Sequence, residues 1–412
     1  MMSVLALKGG LSLLLCLLFV VAVRYKLLIL KLTNQNQTAW FWLLVLGLRL
    51  IPFGVVYVVL NQSPRSDVPM FYEAASSAKQ GLFVYRDFES AYSPLFAYLT
   101  AIPLLVWNSP KAIVLFMLLV EVMVLWFTFR FQQSSDSLFK TLLYLLLPAP
   151  FVLIVLGGQE DIWMWGFGLL SMWAWQKKSD ELWLGIIFGM ALIVTKALFI
   201  LILPAIFFFV RHKIRFVLGL LIIGIPTLVF MYYYSELLFL SPIQQANDPR
   251  TPNIWTILHP LTNGFIPLGP KYLNWIGLLS ILVITIFATF KLRKSTIYEG
   301  FLPLMWTLTY GVMMIVQQSS LSNYAFIFLM PMLFSLIDIT DRNTRVILLL
   351  FNLAVVIQPP IWWGLNMPLF HHLSDLFVPI HGVEYILEIT VIACLLYLLS
   401  SSWRLARQVK NV

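Results

Sequence analysis

Charge is what this chain has least of. Only 11% of its 412 residues are Asp, Glu, Lys or Arg, and 60% are apolar, against roughly a quarter charged in an average soluble domain. That excludes a soluble globular protein. Cysteine is almost absent: Cys16 and Cys394 are the two, each inside an apolar stretch, which excludes a disulfide framework or a thiolate metal site. No segment has the composition of a separate soluble domain. What fills the chain instead is hydrophobic runs of about 20 residues, the length of helical membrane spans, whereas barrel strands alternate over about ten.

The net charge of +9 comes from 27 basic and 18 acidic residues, and the basic ones are sorted. Arg24, Lys26 and Lys31; Arg130 and Lys140; Lys177 and Lys178; Arg211, Lys213 and Arg215; Lys291, Arg293 and Lys294; Arg342 and Arg345; and Arg404, Arg407 and Lys410 fall in alternate connections. The positive-inside rule assigns those connections, and the C-terminus, to the cytoplasm. A basic face for insertion and for anionic headgroups accounts for the charge, so the partners expected are membrane lipids and not nucleic acid.

The expected fold is an all-α polytopic bundle of about 11 to 13 spans, a single integral membrane domain in plasma or inner membrane. Residues 1–60 form the N-terminal spans, 61–111 an outer loop with interfacial helices, 112–234 core spans, and 235–412 the C-terminal spans and outer loops. Residues 95–107 are too short to cross and should lie along the interface. Residues 182–210 measure about 43 Å at 1.5 Å per residue, too long for one span and short for two. Both ends are basic, so a hairpin of two short helices with Lys196 near its tip is expected. Residues 346–358 should cross, with a last outer loop from Pro359 to residue 382. Arg49 and Glu121, inside spans, are candidates to pair or to line a lipid groove.

The connections on the other side are long and aromatic, and the first, 65–94, is longer than ordinary loops. It carries Asp67, Glu73, Asp87 and Glu89 beside Arg65, Lys79 and Arg86, with Tyr72, Tyr85 and Tyr92 interleaved. Asp67, at the end of a span among aromatics, is a suitable group to accept a hydroxyl proton. Asp ahead of a helix with Pro at its first turn is equally an ordinary helix start, and pairing with Arg65 would also explain it. Lys196 inside an apolar segment marks an ion or substrate contact. Arg250 and Lys271 in the 235–272 loop are alternative cations. Gln159 and Asp161 are candidate sugar ligands or a polar span end. Trp362 and Trp363 are candidate stacking residues or an aromatic belt.

Three stretches together resemble a known family. Asp67, Tyr72, Gly81, Tyr85 and Tyr92-Ser93-Pro94, then Gly158-Gln159-Glu160-Asp161, then Gly189 through Lys196 to Pro204, are similar in order and spacing to the GT-C superfamily of membrane glycosyltransferases. The likeness is strongest to glycosyltransferase family 87, the polyprenyl-phosphate-sugar-dependent mannosyltransferases, and covers roughly residues 60–210. The resemblance implies an inverting transfer of a sugar, such as mannose, from a polyprenyl-phosphate donor to an extracytoplasmic lipid or glycan acceptor. It implies no metal and no cofactor apart from that donor substrate. Asp67 would be the base; Lys196, Arg250 or Lys271 would hold the phosphate. Tyr72, Tyr85, Tyr92, Gln159, Asp161, His259 and Asn323 would contact sugar or acceptor. Where the family often has His before Asn-Tyr in a later outer loop, this chain has Ser320-Leu321-Ser322-Asn323-Tyr324. Competing readings are a transporter or flippase for lipid-linked sugars and a polysaccharide polymerase.

Overall fold

The computed structural model describes residues 2–408 apart from 34, 133, 135, 241–247 and 295. The Arg407 side chain, Lys410 and part of the 235–272 loop therefore lie outside the described residues. The described chain is helical throughout, with no strand beyond an isolated bridge between Val84 and Phe88. Eight helices are long and apolar enough to cross a membrane, or nine if one bent pair is a single span. The protein is a polytopic helical membrane protein. The larger expected number of spans is reached only by adding shorter segments, which carry much of the architecture.

In chain order the helices begin with α1 (Met2–Arg24), α2 (Lys26–Thr33) and α3 (Gln37–Val59). The first loop contributes α4 (Val68–Lys79) and α5 (Phe96–Val106). Then come α6 (Pro110–Gln132), α7 (Ser137–Leu146), α8 (Pro148–Leu156) and α9 (Ile162–Lys178). The broken pair is α10 (Glu181–Val194) and α11 (Ala197–Phe209), followed by α12 (Lys213–Ser235). The remainder is α13 (Ile254–Leu261), α14 (Lys271–Leu292), α15 (Tyr298–Val316), α16 (Ser322–Ser335), α17 (Arg342–Gly364) and α18 (Pro379–Gln408).

Contacts between connections show which segments cross. Lys111, at the start of α6, donates to the Tyr57 carbonyl at 2.8 Å and to Asn61 Oδ1, near the end of α3. The chain therefore leaves and re-enters the bundle at one end, and α5, about 16 Å long, does not cross. The backbone N–H of His212 donates to Glu181 Oε1 at 3.3 Å, so α10 and α11 start and finish together as a hairpin. Lys196, extended at φ −134° and ψ 153°, is at the break. The α7–α8 bend of 65° has a local cause: Pro148 forces the preceding Leu147 out of helical geometry, to ψ 131°.

Close packing fixes the hairpin in place. A Cβ at Gly185 would lie 2.1 Å from the Phe216 carbonyl oxygen, and one at Gly219 would lie 2.2 Å from that of Leu182. Helices α10 and α12 thus touch backbone to backbone, the small-residue contact typical of membrane helices. Arg49 of α3 and Glu121 of α6 do pair, bidentately at 2.8 and 3.0 Å and fully buried, with Arg49 also donating to the Leu145 carbonyl. Ile214, Ile222 and Val229 of α12 are half or more exposed, a face that only hydrocarbon satisfies.

One boundary differs from the sequence reading. Helix α17 runs through Pro359 and Pro360 to Gly364 instead of ending before them. The prolines remove two backbone donors, but Ile361 and Trp362 are buried and the Trp362 indole donates to the Pro368 carbonyl at 3.1 Å. That anchoring holds the extra turn. Trp363, by contrast, is exposed.

Candidate functional site

Three segments far apart in sequence converge at the end of the bundle that carries the first loop. Asp67 occupies the N-cap position of α4, but its side chain caps nothing. Its Oδ2 accepts instead from the Gln159 amide at 2.9 Å. Asp67 forms no ion pair with Arg65 among the described residues. Ser66 beside it adopts a left-handed φ of +60°, an unfavourable conformation for a residue with a Cβ, and its hydroxyl accepts from the same amide at 3.1 Å.

Gln159 belongs to the 157–161 turn between α8 and α9. Gly158 makes that turn possible twice over: its φ is +57°, and a Cβ there would meet the Val68 side chain at 2.7 Å. The glycine lets the turn press under the start of α4. The Gln159 side-chain oxygen accepts from the Asn323 amide at 3.0 Å, so one buried side chain links the first loop to the start of α16. All of its hydrogen-bonding groups are used.

Next to this chain is an ionic cluster. The Lys196 ammonium contacts Asp161 Oδ1 at 2.7 Å and Glu160 Oε1. It also lies 5.2 Å from the centre of the Tyr92 ring and 5.5 Å from that of Tyr324, both within cation–π range. Glu160 Oε2, Asp161 Oδ2, Asn323 Oδ1 and the Trp163 N–H are buried without a hydrogen-bond partner among the described residues. Burial pushes the Glu160 carboxyl up to about 7, with the Lys196 ammonium pulling the other way.

The first loop is tied to the break that presents Lys196. Leu95 N–H donates to the Ile193 carbonyl at 2.9 Å and Ser93 N–H to that of Thr195 at 3.4 Å, satisfying carbonyls that the end of α10 leaves open. The Tyr85 hydroxyl donates to the Tyr92 carbonyl. Phe83 stacks on Tyr234 at 4.7 Å, docking the loop onto α12.

Of the residues singled out from the sequence, Asp67, Gln159, Asn323, Asp161, Lys196 and Tyr92 form this cluster, and Tyr85 buttresses it. Lys196 stands at the same end as Asp67, but its ammonium is engaged by the protein's own carboxylates. The Arg250 backbone N–H donates to the Gln318 carbonyl at 2.8 Å, and its charge acts on the Tyr324 phenol. Lys271 is exposed at the start of α14. His259 is elsewhere, its Nε2 2.8 Å from His371 Nδ1. Tyr72 lines a separate groove. The sequence reading passed over Glu160 and Tyr324. The signal for both was adjacency, since each flanks a residue it did select.

No family model, curated protein or solved structure matches the chain.

Proposed function

We propose that this protein is an inverting membrane glycosyltransferase that takes a sugar, a hexose such as mannose, from a polyprenyl-phosphate donor. The acceptor is a lipid or glycan, and the end carrying the first loop faces the extracytoplasmic side. The supporting observation is the half-exposed Asp67 carboxylate. Gln159 orients its Oδ2, while its Oδ1 takes no hydrogen bond among the described residues. A carboxylate held this way fits the role of general base. In the reaction the acceptor hydroxyl attacks the anomeric carbon and gives its proton to Asp67. The C–O bond to phosphate breaks on the opposite face, inverting that centre. The leaving phosphate needs no protonation.

Lys196 serves this reading as a positioning group that fixes Glu160, Asp161 and the two tyrosine rings. Arg250, whose charge acts on the Tyr324 phenol, is the cation for the donor phosphate. A second reading, a transporter of lipid-linked sugars, has one observation in its favour. Glu384 and Glu388 of α18 are both buried and form no ion pair among the described residues, and such intramembrane carboxylates are frequent in proton-coupled carriers.

The test is Asp67→Asn in purified protein with a radiolabelled polyprenyl-phosphate sugar. Transfer should fall about 10²–10⁴-fold with donor binding retained, while Asp87→Asn and Glu89→Gln remain active. An Asp67→Asn enzyme that binds donor and transfers normally overturns the assignment. Sugar-lipid crossing in proteoliposomes without any transfer would favour the carrier.

A further inference from the structure

A concavity of about 470 Å³ lies at the same end of the bundle, within the size range of small-molecule sites. Asn61, Ser63, Tyr72, Glu73, Ser109 and Lys111 line it, with three prolines between them. One of these, Pro69, is two residues after Asp67. At 100° per residue Asp67 and Tyr72 are about 140° apart around α4, so the groove and the candidate base lie on different faces of the same short helix.

The charges in this groove are balanced. The Lys111 ammonium holds the Tyr57 carbonyl and Asn61 Oδ1, which fixes the wall and leaves the Asn61 N–H groups to donate. Ser109 Oγ accepts from the Lys111 backbone N–H at 3.3 Å, and its hydroxyl hydrogen remains available. Glu73 is exposed and in no ion pair among the described residues, so its oxygens can accept. A phosphate would face Glu73, and an amine would face Lys111. A neutral ligand rich in hydroxyls meets neither penalty. The half-buried Tyr72 ring and the rigid proline walls suit the C–H faces of a sugar ring.

We propose that this groove is the acceptor subsite and that it takes a neutral saccharide. This rests on the glycosyltransferase reading but is tested without donor. Full-length protein in detergent micelles is titrated with mannobiose and cellobiose, and with glucose 6-phosphate and glucosamine as charged probes, using saturation-transfer NMR. The neutral disaccharides should bind better than either charged probe. Tyr72→Ala should weaken them about tenfold, and Tyr72→Phe, which keeps the ring, less than about threefold. Equal binding of the charged probes overturns the proposal, as does undiminished binding by a Tyr72→Ala protein that unfolds at the wild-type temperature. If Tyr72→Ala does not fold, Glu73→Gln and Ser109→Ala report on the same groove, and unchanged affinity in both overturns it. Disaccharide binding by a protein that transfers no sugar would sink the glycosyltransferase reading and leave the saccharide site standing.

Discussion

Lys196→Met separates the two roles an ammonium can have at this place. In the structure it is the only ion-pair partner that Glu160 and Asp161 have among the described residues, and those side chains are 2% and 0% exposed. Removing it strands two buried carboxylates, and breaking a buried pair from one side costs about 3–5 kcal/mol. Adding Glu160→Gln and Asp161→Asn should return most of that loss, because neutral isosteres need no counter-charge. The deficit should also depend on pH. Burial already raises Glu160 from its ordinary 4.5 to about 7 with the ammonium opposing, and without the ammonium it stands higher. An acid whose folded value is raised binds its proton more tightly in the fold than in the unfolded chain. Below about 7 Glu160 holds its proton in both folded proteins, so its share of the deficit relative to wild type is absent there and grows as pH rises through that value. Tryptophan-fluorescence unfolding in detergent, run at pH 5 and pH 8, reads both effects. A Lys196→Met protein as stable as wild type at pH 8 would refute the reasoning. If it had also lost donor binding, Lys196 would be a phosphate ligand.

Other expectations follow from the packing. Gly185→Ala should destabilise by about 1–3 kcal/mol, since the new Cβ has a carbonyl oxygen 2.1 Å away. Gly224→Ala, on the same helix as Gly219 but with nothing within 4 Å, should be neutral or stabilising by up to about 1 kcal/mol; melting temperatures compare the two. Arg49→Met and Glu121→Gln should each cost about 3–5 kcal/mol, and the double variant less than either; a double variant showing the sum of the two losses would mean that the ion pair is not the source.

How far the sequence could be read depended on whether a feature was local. The long spans were legible because apolar runs end at basic clusters. The non-crossing α5 and the 182–210 hairpin were legible because length and end charges left little else. Helix α17 was misjudged at Pro359 because its last turn is held by burial of Ile361 and Trp362, a tertiary effect that two prolines argue against locally. Lys196 shows the deeper limit. An ammonium in an apolar segment requires an anion, but nothing local says whether the protein or a substrate supplies it. The answer was two carboxylates 35 and 36 residues earlier, brought close by the turn at Gly158. Tyr72 could have been separated from Asp67 by helical periodicity alone, since five residues do not return to the same face.

The charge balance at the convergence point constrains any mechanism. Asp67, Glu160 and Asp161 face a single ammonium, so with Glu160 ionised the cluster repels a phosphate, and with Glu160 protonated it still carries an uncompensated negative charge near Asp67. On the proposed reading a donor phosphate is therefore poorly placed against Lys196, and Arg250, whose charge acts on the Tyr324 phenol, is the better-suited cation. The same arrangement suits Asp67 as a base. Its partner is a neutral amide, so the carboxylate is oriented without being neutralised, and that amide is locked in turn by Asn323. Glu160 and Asp161 are less suited to that proposed role, since each is buried and has one oxygen held by the Lys196 ammonium.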